Sequence, residues 1–306
     1  MNIKQITVYA PASIANLGPG FDVFGIALDE IGDTITLVAV PEKGVRVSIV
    51  GVGSDSIPMN AAENSAGAVL NHFVEKHNPD HGFKVNIEKG VPPGKGMGSS
   101  GASAAAVTHA LCKLEGLDLS QKERIRLAAM GEAAVTGSPH ADNVSPSLLG
   151  GFCIVGPDYE VTRLDPPDVE MVVVTPEVHY ENKTRLARSL LPEKVDLKDA
   201  VFNVGNATRM TAAVAIGDPV LFGRSIRDRL IEPYRAEMIP NFWGVKKAAL
   251  DAGAYGCSIA GGGPSLFAVG PNPGDVGRAM VEAFKEADVK SEAILTRPSG
   301  PGARVA

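Results

Sequence analysis

The segment that most restricts the fold of this chain is a glycine- and serine-rich loop that runs directly into an alanine-rich stretch. Residues 92–103 read Pro-Pro-Gly-Lys-Gly-Met-Gly-Ser-Ser-Gly-Ala-Ser, and residues 104–107 continue as Ala-Ala-Ala-Val. Glycines allow consecutive N–H groups to converge on an anion, and a helix that begins there directs its positive end at the same point. The pattern predicts a polyphosphate site, with a charge from Lys95 and a metal-binding hydroxyl from Ser99 or Ser100. The alternative is an ordinary glycine turn capped by serine.

Two better-known phosphate motifs are excluded by spacing. In a P-loop the lysine stands immediately before the hydroxyl residue, whereas Lys95 precedes the glycine pair. A dinucleotide fold requires Gly-x-Gly-x-x-Gly, which is present, and also a strand between the helix and the acid that binds ribose. The helix predicted over residues 102–115 is ended by Gly116, so only Leu117 precedes the candidate Asp118. No strand fits there.

Composition is typical of a globular enzyme. The 306 residues suggest about two domains, and 44% of them are hydrophobic. No apolar run approaches the roughly 18 residues of a membrane span, and residues 1–5 lack the apolar region of a signal peptide, so a cytoplasmic protein is expected. The three cysteines, Cys112, Cys153 and Cys257, are odd in number and far apart, which indicates reduced thiols in packing roles. A net charge of -6 without a basic cluster argues against nucleic acid and membrane partners.

The chain alternates between short strand-like runs and helical segments, which is typical of the α+β class. Residues 83–88 alternate as a strand that leads into the glycine loop, and residues 62–74 carry apolar side chains at helical spacing. A Ser-Gln-Lys-Glu capping box at residues 120–123 predicts a helix to about residue 135. Further strands are predicted at 6–9, 34–38, 45–50, 152–155, 171–174, 265–269 and 293–296, and further helices at 199–216, 242–252 and 274–287. The Gly156-Pro157 turn marks the expected boundary between two domains, 1–156 and 157–306.

Three other segments are difficult to explain by packing alone. Residues 11–22 set Asn16 and Asp22 around a Gly-Pro-Gly turn, where both side chains would otherwise serve as turn stabilisers. Residues 137–146 crowd histidine, aspartate and asparagine between a helix end and a strand, although a solvated loop would also hold them. Residues 261–263 are three glycines, which predicts a close approach of the backbone to a ligand or to another loop.

Together, these segments resemble the motifs of the GHMP kinases. The glycine loop is similar to the family's Pro-x-x-x-Gly-Leu-Gly-Ser-Ser-Ala, with Met97 in place of leucine and Gly101 in place of alanine. The triple glycine is similar to the family's third motif. The branch of the family that acts on L-homoserine is the most similar, through residues 16–22, residues 140–143, Thr184 followed by Arg188, and Glu232-Pro233-Tyr234-Arg235.

The resemblance implies an activity: transfer of the ATP γ-phosphate to the side-chain hydroxyl of L-homoserine, on the route to threonine. The implied nucleotide-binding residues are Asn64, Pro92, Gly94, Lys95, Gly96, Met97, Gly98, Ser99, Ser100, Gly101 and Ala102. The implied ligands of Mg²⁺ are Ser100 and Glu132, which offer hard oxygen atoms. Apart from the resemblance, Glu132 is simply a polar residue on a helix.

Homoserine carries an ammonium, a carboxylate and a hydroxyl, and the implied site matches each group. Asp22 takes the ammonium, and Arg188 and Arg235 bind the carboxylate with forked donors. Each arginine alone would more commonly form a surface ion pair. Asn16, His140 and Asn143 orient the hydroxyl end, and Thr184 lies close to the transfer path.

The resemblance also places Asn143 where other members of the family have an aspartate base. Asparagine cannot accept the proton, so alignment and charge neutralisation, with Lys95 assisting, are expected to dominate catalysis. The adjacent Asp142 remains the competing candidate for a base.

For architecture, the resemblance implies an N-terminal domain like domain 2 of ribosomal protein S5, a C-terminal ferredoxin-like domain, substrates meeting in the cleft between them, and a homodimer. Two other functions stay open. One is another small-alcohol kinase of the family, whose acceptor would lack the zwitterion that Asp22 and the two arginines match. The other is a catalytically silent nucleotide-binding regulator, against which Lys95, Ser100 and Glu132 argue together.

Overall fold

A computed structural model describes residues 4–180 and 183–306 of the chain, apart from the side chains of Thr136, Lys183 and Thr184. Within these residues, two mixed layers of helix and sheet confirm the predicted α+β class. No helix in the described part of the chain has the length and apolar character needed to cross a bilayer.

The first sheet has seven strands and carries the predicted loop at the end of one of them. Its strands are β1 (Gln5–Ala15), β2 (Phe24–Val40), β3 (Val45–Gly51), β4 (Gly82–Lys89), β5 (Phe152–Val155), β6 (Val161–Leu164) and β11 (Arg304–Val305). The main path is β11-β1-β2-β4-β3, and β5 joins β2 to β6. All neighbours are antiparallel except β3 and β4.

Four helices belong to this first layer. They are α1 (Ser65–His77), α2 (Ser99–Glu115), α3 (Gln121–Thr136) and α4 (Ala141–Leu149). The apolar stripe that predicted α1 is buried, and α2 contributes alanines that are fully buried against the sheet. The capping box predicted for α3 is present, with Ser120 and Glu123 bonded reciprocally. The small alanine side chains let α2 pack close to β1 and β2, which fixes the position of the loop before it.

The second sheet has the strand order of a ferredoxin-like domain. Its strands are β7 (Met171–Pro176), β8 (Gly256–Ile259), β9 (Leu266–Val269) and β10 (Ser291–Thr296), arranged as β10-β7-β9-β8 and antiparallel throughout. Between or after these strands come α5 (Lys183–Ser189), α6 (Leu197–Ile216), α7 (Pro219–Arg224), α8 (Glu232–Arg235), α9 (Phe242–Asp251) and α10 (Pro273–Lys285). The β-α-β-β-α-β pattern agrees with the expected C-terminal architecture.

The two sheets are joined by a shared hydrophobic core. Phe152 of β5 contacts Phe24 of β2 with ring centroids 5.0 Å apart, and it contacts Phe222 of α7 edge to face at 6.4 Å. The predicted boundary after residue 156 falls inside the β5–β6 hairpin, and β11 returns to β1. We therefore propose that the first unit extends to Leu164 and includes the C-terminal strand.

Residues 137–146 do not form the solvated loop that the sequence allowed. Helix α4 begins at Ala141, and its Asp142 is only 3% exposed. The helix contains Pro146, which cannot donate to the carbonyl of Asp142. That carbonyl instead packs against Gly25, where an added Cβ would lie 2.0 Å from the oxygen. Tertiary packing on a glycine therefore allows the helix to contain a proline.

Candidate active site

The glycine loop has the backbone that an anion site requires. Gly94, Gly96 and Gly98 all adopt positive φ angles, of 72°, 86° and 64°, and α2 begins at the next residue, Ser99. An added Cβ at Gly96 would lie 2.2 Å from the carbonyl oxygen of Ala260, and one at Gly98 would lie 2.2 Å from the Ser13 Oγ. The loop therefore needs glycine for both conformation and space.

The triple glycine lies against the glycine loop, which settles what approaches it closely. An added Cβ at Gly261 would lie 2.9 Å from the carbonyl oxygen of Gly96. The Gly261 carbonyl accepts hydrogen bonds from Asn16 Nδ2 at 2.9 Å and from the Arg235 guanidinium at 3.1 Å. The close neighbour of the triple glycine is thus another loop, the glycine loop that follows β4 of the first sheet.

A single cleft of about 840 Å³ gathers most of the predicted site residues. Its lining includes Asn16, Asp22, Asn64, Gly94, Lys95, Gly96, Gly98, Ser99, Ser100, Glu132, His140, Asn143, Arg188 and Arg235, together with Asp142. Four residues predicted to bind nucleotide, Pro92, Met97, Gly101 and Ala102, are not part of this lining. Met97 and Ala102 are fully buried in the core, where they support the loop from behind.

Thr184 lies on α5, but its side chain falls outside the described residues, so its predicted place beside the transfer path stays a prediction.

Lys95 connects the glycine loop to the second sheet. Its ammonium donates to the carbonyl of Pro176 at 3.1 Å and to that of Val178 at 3.3 Å. Ser99 Oγ donates to the carbonyl of Val91 at 2.8 Å, which closes the loop on itself. Lys95 and Ser99 both line the cleft, and an ammonium and a hydroxyl are groups that can bind phosphate.

Asn64 and Glu132 are buried polar residues among those predicted to bind nucleotide and metal. Asn64 is 3% exposed, and its Oδ1 caps α1 by accepting from the backbone of Ala66 and Gly67. Glu132 is 4% exposed on α3. Among the described residues, no group of three histidine, cysteine or acidic side chains is close enough to hold a metal ion.

Asp22 and Arg188 form a charged pair in the lining of the same cleft. The Arg188 guanidinium lies 3.1 Å from Asp22 Oδ2 and donates toward the His140 ring at 3.5 Å. Both charged side chains are about two-fifths exposed, 39% for Arg188 and 41% for Asp22. Solvent therefore reaches this pair, and a ligand can compete for either partner.

Arg235 differs from Arg188 in being buried, with 6% exposure. It donates to the carbonyls of Gly261 and Ala187. The ring of Phe21 lies under both guanidiniums, with its centroid 5.1 Å from Arg235 and 6.0 Å from Arg188. Arg188 and Arg235, the two residues predicted to bind the acceptor carboxylate, thus lie over the same aromatic ring.

The Asn16 side chain bonds to protein atoms on both sides. Its Oδ1 accepts from the backbone N–H of Asp22 at 3.0 Å, and its Nδ2 donates to Gly261. Asn16, Leu17 and Asp22 all have positive φ angles, which are costly for residues other than glycine. The turn-stabilising alternative thus describes these contacts of Asn16, although its side chain also lines the cleft.

Asn143 and Asp142 are neighbours near the start of α4 and both line the cleft, where Asn143 Nδ2 donates to Asp142 Oδ1 at 3.4 Å. Asn143 adjoins the glycine loop: a Cβ added at Gly98 would lie 3.4 Å from its Oδ1, and its carbonyl accepts from Ser13 Oγ. Burial, reinforced by the charge of Asp22, raises the pKa of Asp142 to about 7. Asp142 is therefore able to exchange a proton near neutral pH.

Sequence reasoning missed the charged residues beneath the glycine loop. Lys89, at the end of β4, lines the cleft and forms a fully buried ion pair with Asp33 of β2. Ser103 of α2 bonds to both partners. The only signal in the sequence was a lysine at an inward position of an alternating strand, which has no partner until the sheet is assembled.

Comparisons with known proteins agree with this geometry. The family model described as "GHMP kinases N terminal domain" matches residues 64–151, and the model described as "GHMP kinases C terminal" matches residues 210–287. A protein from Pyrococcus abyssi named homoserine kinase is 43% identical over 97% of this chain and 98% of its own. A homoserine kinase from Methanocella arvoryzae is 41% identical over 99% of this chain and 98% of its own.

A solved structure is also similar to this chain over nearly its whole length. The crystal structure of homoserine kinase from Cytophaga hutchinsonii has a TM-score of 0.91 and 36% identity, and the match covers 99% of this chain and 98% of that one. The resemblance inferred from the sequence motifs is confirmed, as is the two-domain fold that it implied. This chain belongs to the GHMP kinase family.

Proposed function

We propose that this chain transfers the γ-phosphoryl group of ATP to the side-chain hydroxyl of L-homoserine and forms O-phospho-L-homoserine. The observation that carries the proposal is that the glycine loop and the Asp22, Arg188 and Arg235 cluster open onto one cleft. The relatives at about 40% identity bear the name homoserine kinase over nearly their whole length. A donor site and an amino-acid site that face each other are what this reaction needs.

The donor end of the cleft has the features of a triphosphate site. Backbone N–H groups from residue 94 onward and the positive end of α2 attract the phosphates. Lys95 lies beside them and exchanges carbonyl partners for phosphate oxygens when the nucleotide binds. Asn64, held by its capping bonds to α1, lines the same end of the cleft.

Ser100 and Glu132 are the residues that would hold Mg²⁺. Both line the cleft, and a buried carboxylate with a hydroxyl fits a cation that takes oxygen ligands and completes its shell with phosphates and water. When bound, Mg²⁺ neutralises charge on the β- and γ-phosphates.

The acceptor end matches a zwitterion. Asp22 takes the α-ammonium, and Arg188, now paired with Asp22, turns with Arg235 to the α-carboxylate. The ligand therefore replaces the Asp22–Arg188 ion pair with a contact between Asp22 and the ammonium and with contacts between both arginines and one carboxylate. Mevalonate and galactose lack the α-ammonium and so leave Asp22 without its ligand.

The chain's own residues contribute alignment rather than a strong base. Asn143, beside the glycine loop, donates to or accepts from the acceptor hydroxyl and holds it in line with the transferred phosphoryl group. His140 and Asn16 keep the surrounding loops in place, and the proton leaves to phosphate late in transfer. Asp142, with its pKa near 7, is the competing acceptor of that proton.

The direct test is phosphoryl transfer by the purified chain with ATP and Mg²⁺, followed by ³¹P NMR. Homoserine, serine, threonine, mevalonate and galactose are offered separately. A phosphate ester on homoserine is expected, with kcat/KM at least about tenfold above that on mevalonate, because mevalonate lacks the ammonium that binds the half-exposed Asp22. Phosphate on mevalonate or galactose with homoserine inert would support the other small-alcohol kinase. ATP binding with no ester on any acceptor would support the silent regulator.

We also propose the homodimer and the cytoplasmic location expected from the sequence. Apolar side chains on α6, namely Leu197, Val201, Val204 and Ile216, are between 62% and 79% exposed, which supports an interface between copies. Light scattering is expected to give twice the 31.8 kDa chain mass, and the mass of a single chain would reject the dimer.

A further inference from the structure

A buried polar network lies directly beneath the glycine loop. The Lys89 ammonium bonds to Asp33 Oδ2, to Ser103 Oγ at 3.0 Å and to the Ser99 carbonyl at 2.9 Å. Ser103 Oγ in turn donates to Asp33 Oδ2 at 2.7 Å. The side chains of Lys89 and Asp33 are 2% and 0% exposed. This set of Lys89, Asp33 and Ser103 is here called the loop anchor.

The donors and acceptors of the loop anchor are matched. The three N–H donors of the Lys89 ammonium meet three oxygens, and both Asp33 oxygens are used. Asp33 Oδ1 accepts from the backbone N–H of Gly90 at 3.2 Å and of Val91 at 3.1 Å. Burial lowers the pKa of Lys89, and the adjacent Asp33 charge opposes that shift. Such a pair is retained only where its bonds are complete.

The loop anchor binds the glycine loop at both ends. Asp33 holds the N–H groups of residues 90 and 91, where the chain leaves β4, and Lys89 holds the carbonyl of Ser99, where α2 begins. At the entrance, an added Cβ at Gly90 would lie 2.2 Å from the carbonyl oxygen of Gly32, so the backbone passes close to β2 and only glycine fits there. Residues 92–98 are thereby suspended between two fixed points.

We propose that Lys89 and Asp33 are positioning residues that hold the glycine loop in its phosphate-binding conformation before the nucleotide arrives. The inference rests on the proposed function, because it identifies what keeps the triphosphate site in shape. Gly94, Gly96 and Gly98 occupy every second position of the loop and all have positive φ angles. Because glycine is conformationally permissive, the loop can adopt many other conformations when its ends are free. Fixing both ends removes that freedom before binding, so less conformational entropy is lost when phosphate binds.

Lys89 could stabilise the whole fold or position the glycine loop, and a single substitution would affect both. Lys89→Met leaves the Asp33 charge buried without a partner and destabilises the whole fold. The double variant Asp33→Asn, Lys89→Met removes both charges and restores most of the lost stability. It does not restore the bond to the Ser99 carbonyl, because methionine has no donor. A purely structural pair predicts recovery of ATP binding with stability, whereas a positioning pair predicts recovery of stability alone.

The experiment compares the wild-type chain, both variants and a control, Lys246→Met. Lys246 forms a largely buried ion pair with Glu232 in the second domain, with side chains 16% and 4% exposed, and Glu232 also accepts from Ser258 of β8. ATP affinity is measured by calorimetry without acceptor, and amide exchange over residues 90–103 is followed by mass spectrometry in the free chain. The double variant is expected to bind ATP at least tenfold more weakly and to exchange faster there, whereas the control loses stability without either change.

Three results would overturn the inference: ATP affinity of the double variant within twofold of wild type, unchanged exchange over residues 90–103, or an equal loss of ATP affinity in the control. If the Lys89 variants fail to fold, Ser103→Ala carries the same test, with an expected threefold or greater loss of ATP affinity. Failure of the proposed function is recognised separately, because the wild-type chain would then bind no ATP, or would bind ATP and form no phosphate ester of homoserine, whatever the exchange rates.

Discussion

Replacement of Asp142 by asparagine should stabilise the chain above neutral pH. Asp142 lies in α4 with 3% exposure, and burial is the main cause that raises its pKa from 3.8 to about 7. The nearby charge of Asp22 adds to this effect. Asparagine keeps the size of the side chain and cannot ionise, so the substitution removes the charge with little change in packing.

The sign and size of the stability change follow from the linkage between protonation and folding. Because the folded state holds the proton more tightly, the free energy of unfolding falls as pH rises from about 4 to about 7 and then levels off. A shift of about three pKa units corresponds to roughly 4 kcal/mol. At pH 3 and below, the wild-type carboxyl is mostly protonated in both states, so the two proteins should be nearly equal in stability there.

Urea unfolding of both proteins at pH 4.5 and pH 8 measures the effect. The variant should be more stable than wild type by roughly 2–4 kcal/mol at pH 8, with a small difference at pH 4.5. Asp168→Asn, at an exposed position, serves as the matched control and should change stability by less than about 0.5 kcal/mol at either pH. Equal gains at the two pH values, or a loss at pH 8, would refute the assignment of a buried, protonated Asp142.

Three further substitutions test the site. Asn143→Ala should lower kcat by about 10²-fold, since alignment of the acceptor is lost, with the KM for ATP unchanged; unchanged turnover, or a larger loss in Asp142→Asn, would move the role to Asp142. Arg235→Met should raise the KM for homoserine by about 30-fold or more and spare the KM for ATP, because a buried carboxylate contact is removed; equal effects on both substrates would contradict a carboxylate site. Gly96→Ala should weaken ATP binding and destabilise the fold by more than about 1 kcal/mol, since φ is 86° and the Cβ meets Ala260; wild-type ATP affinity in steady-state kinetics would argue against the loop geometry.

The sequence predicted those helices, strands and loops whose signals lie within a short stretch of neighbouring residues. The strand that becomes β4, the glycine loop and α2 were all readable because alternation, glycine content and helix ends are properties of short windows. The buried face of α1 followed from spacing in the same way. The resemblance to a family then identified Asp22, Arg188 and Arg235, whose convergence no local pattern contains.

The features that the sequence did not predict depend on contacts between distant parts of the chain. Asp33 and Lys89 are 56 positions apart, and their pairing appears only when β2 and β4 align. Helix α4 was not predicted because Pro146 and the polar residues around it disfavour a helix, and only packing against Gly25 accommodates the carbonyl that the proline leaves unpaired. The capping role of Asn64 and the bonds of Asn16 likewise required the folded neighbours.

The central claim is that residues 94–101 enclose a triphosphate whose terminal phosphoryl group faces an amino-acid hydroxyl across the cleft. A crystal structure with a non-hydrolysable ATP analogue, Mg²⁺ and L-homoserine measures this directly. The γ-phosphorus is expected within about 3.5 Å of the homoserine hydroxyl oxygen, with the loop N–H groups on the phosphates. A triphosphate bound elsewhere, with those N–H groups bonded to protein atoms, would contradict the account.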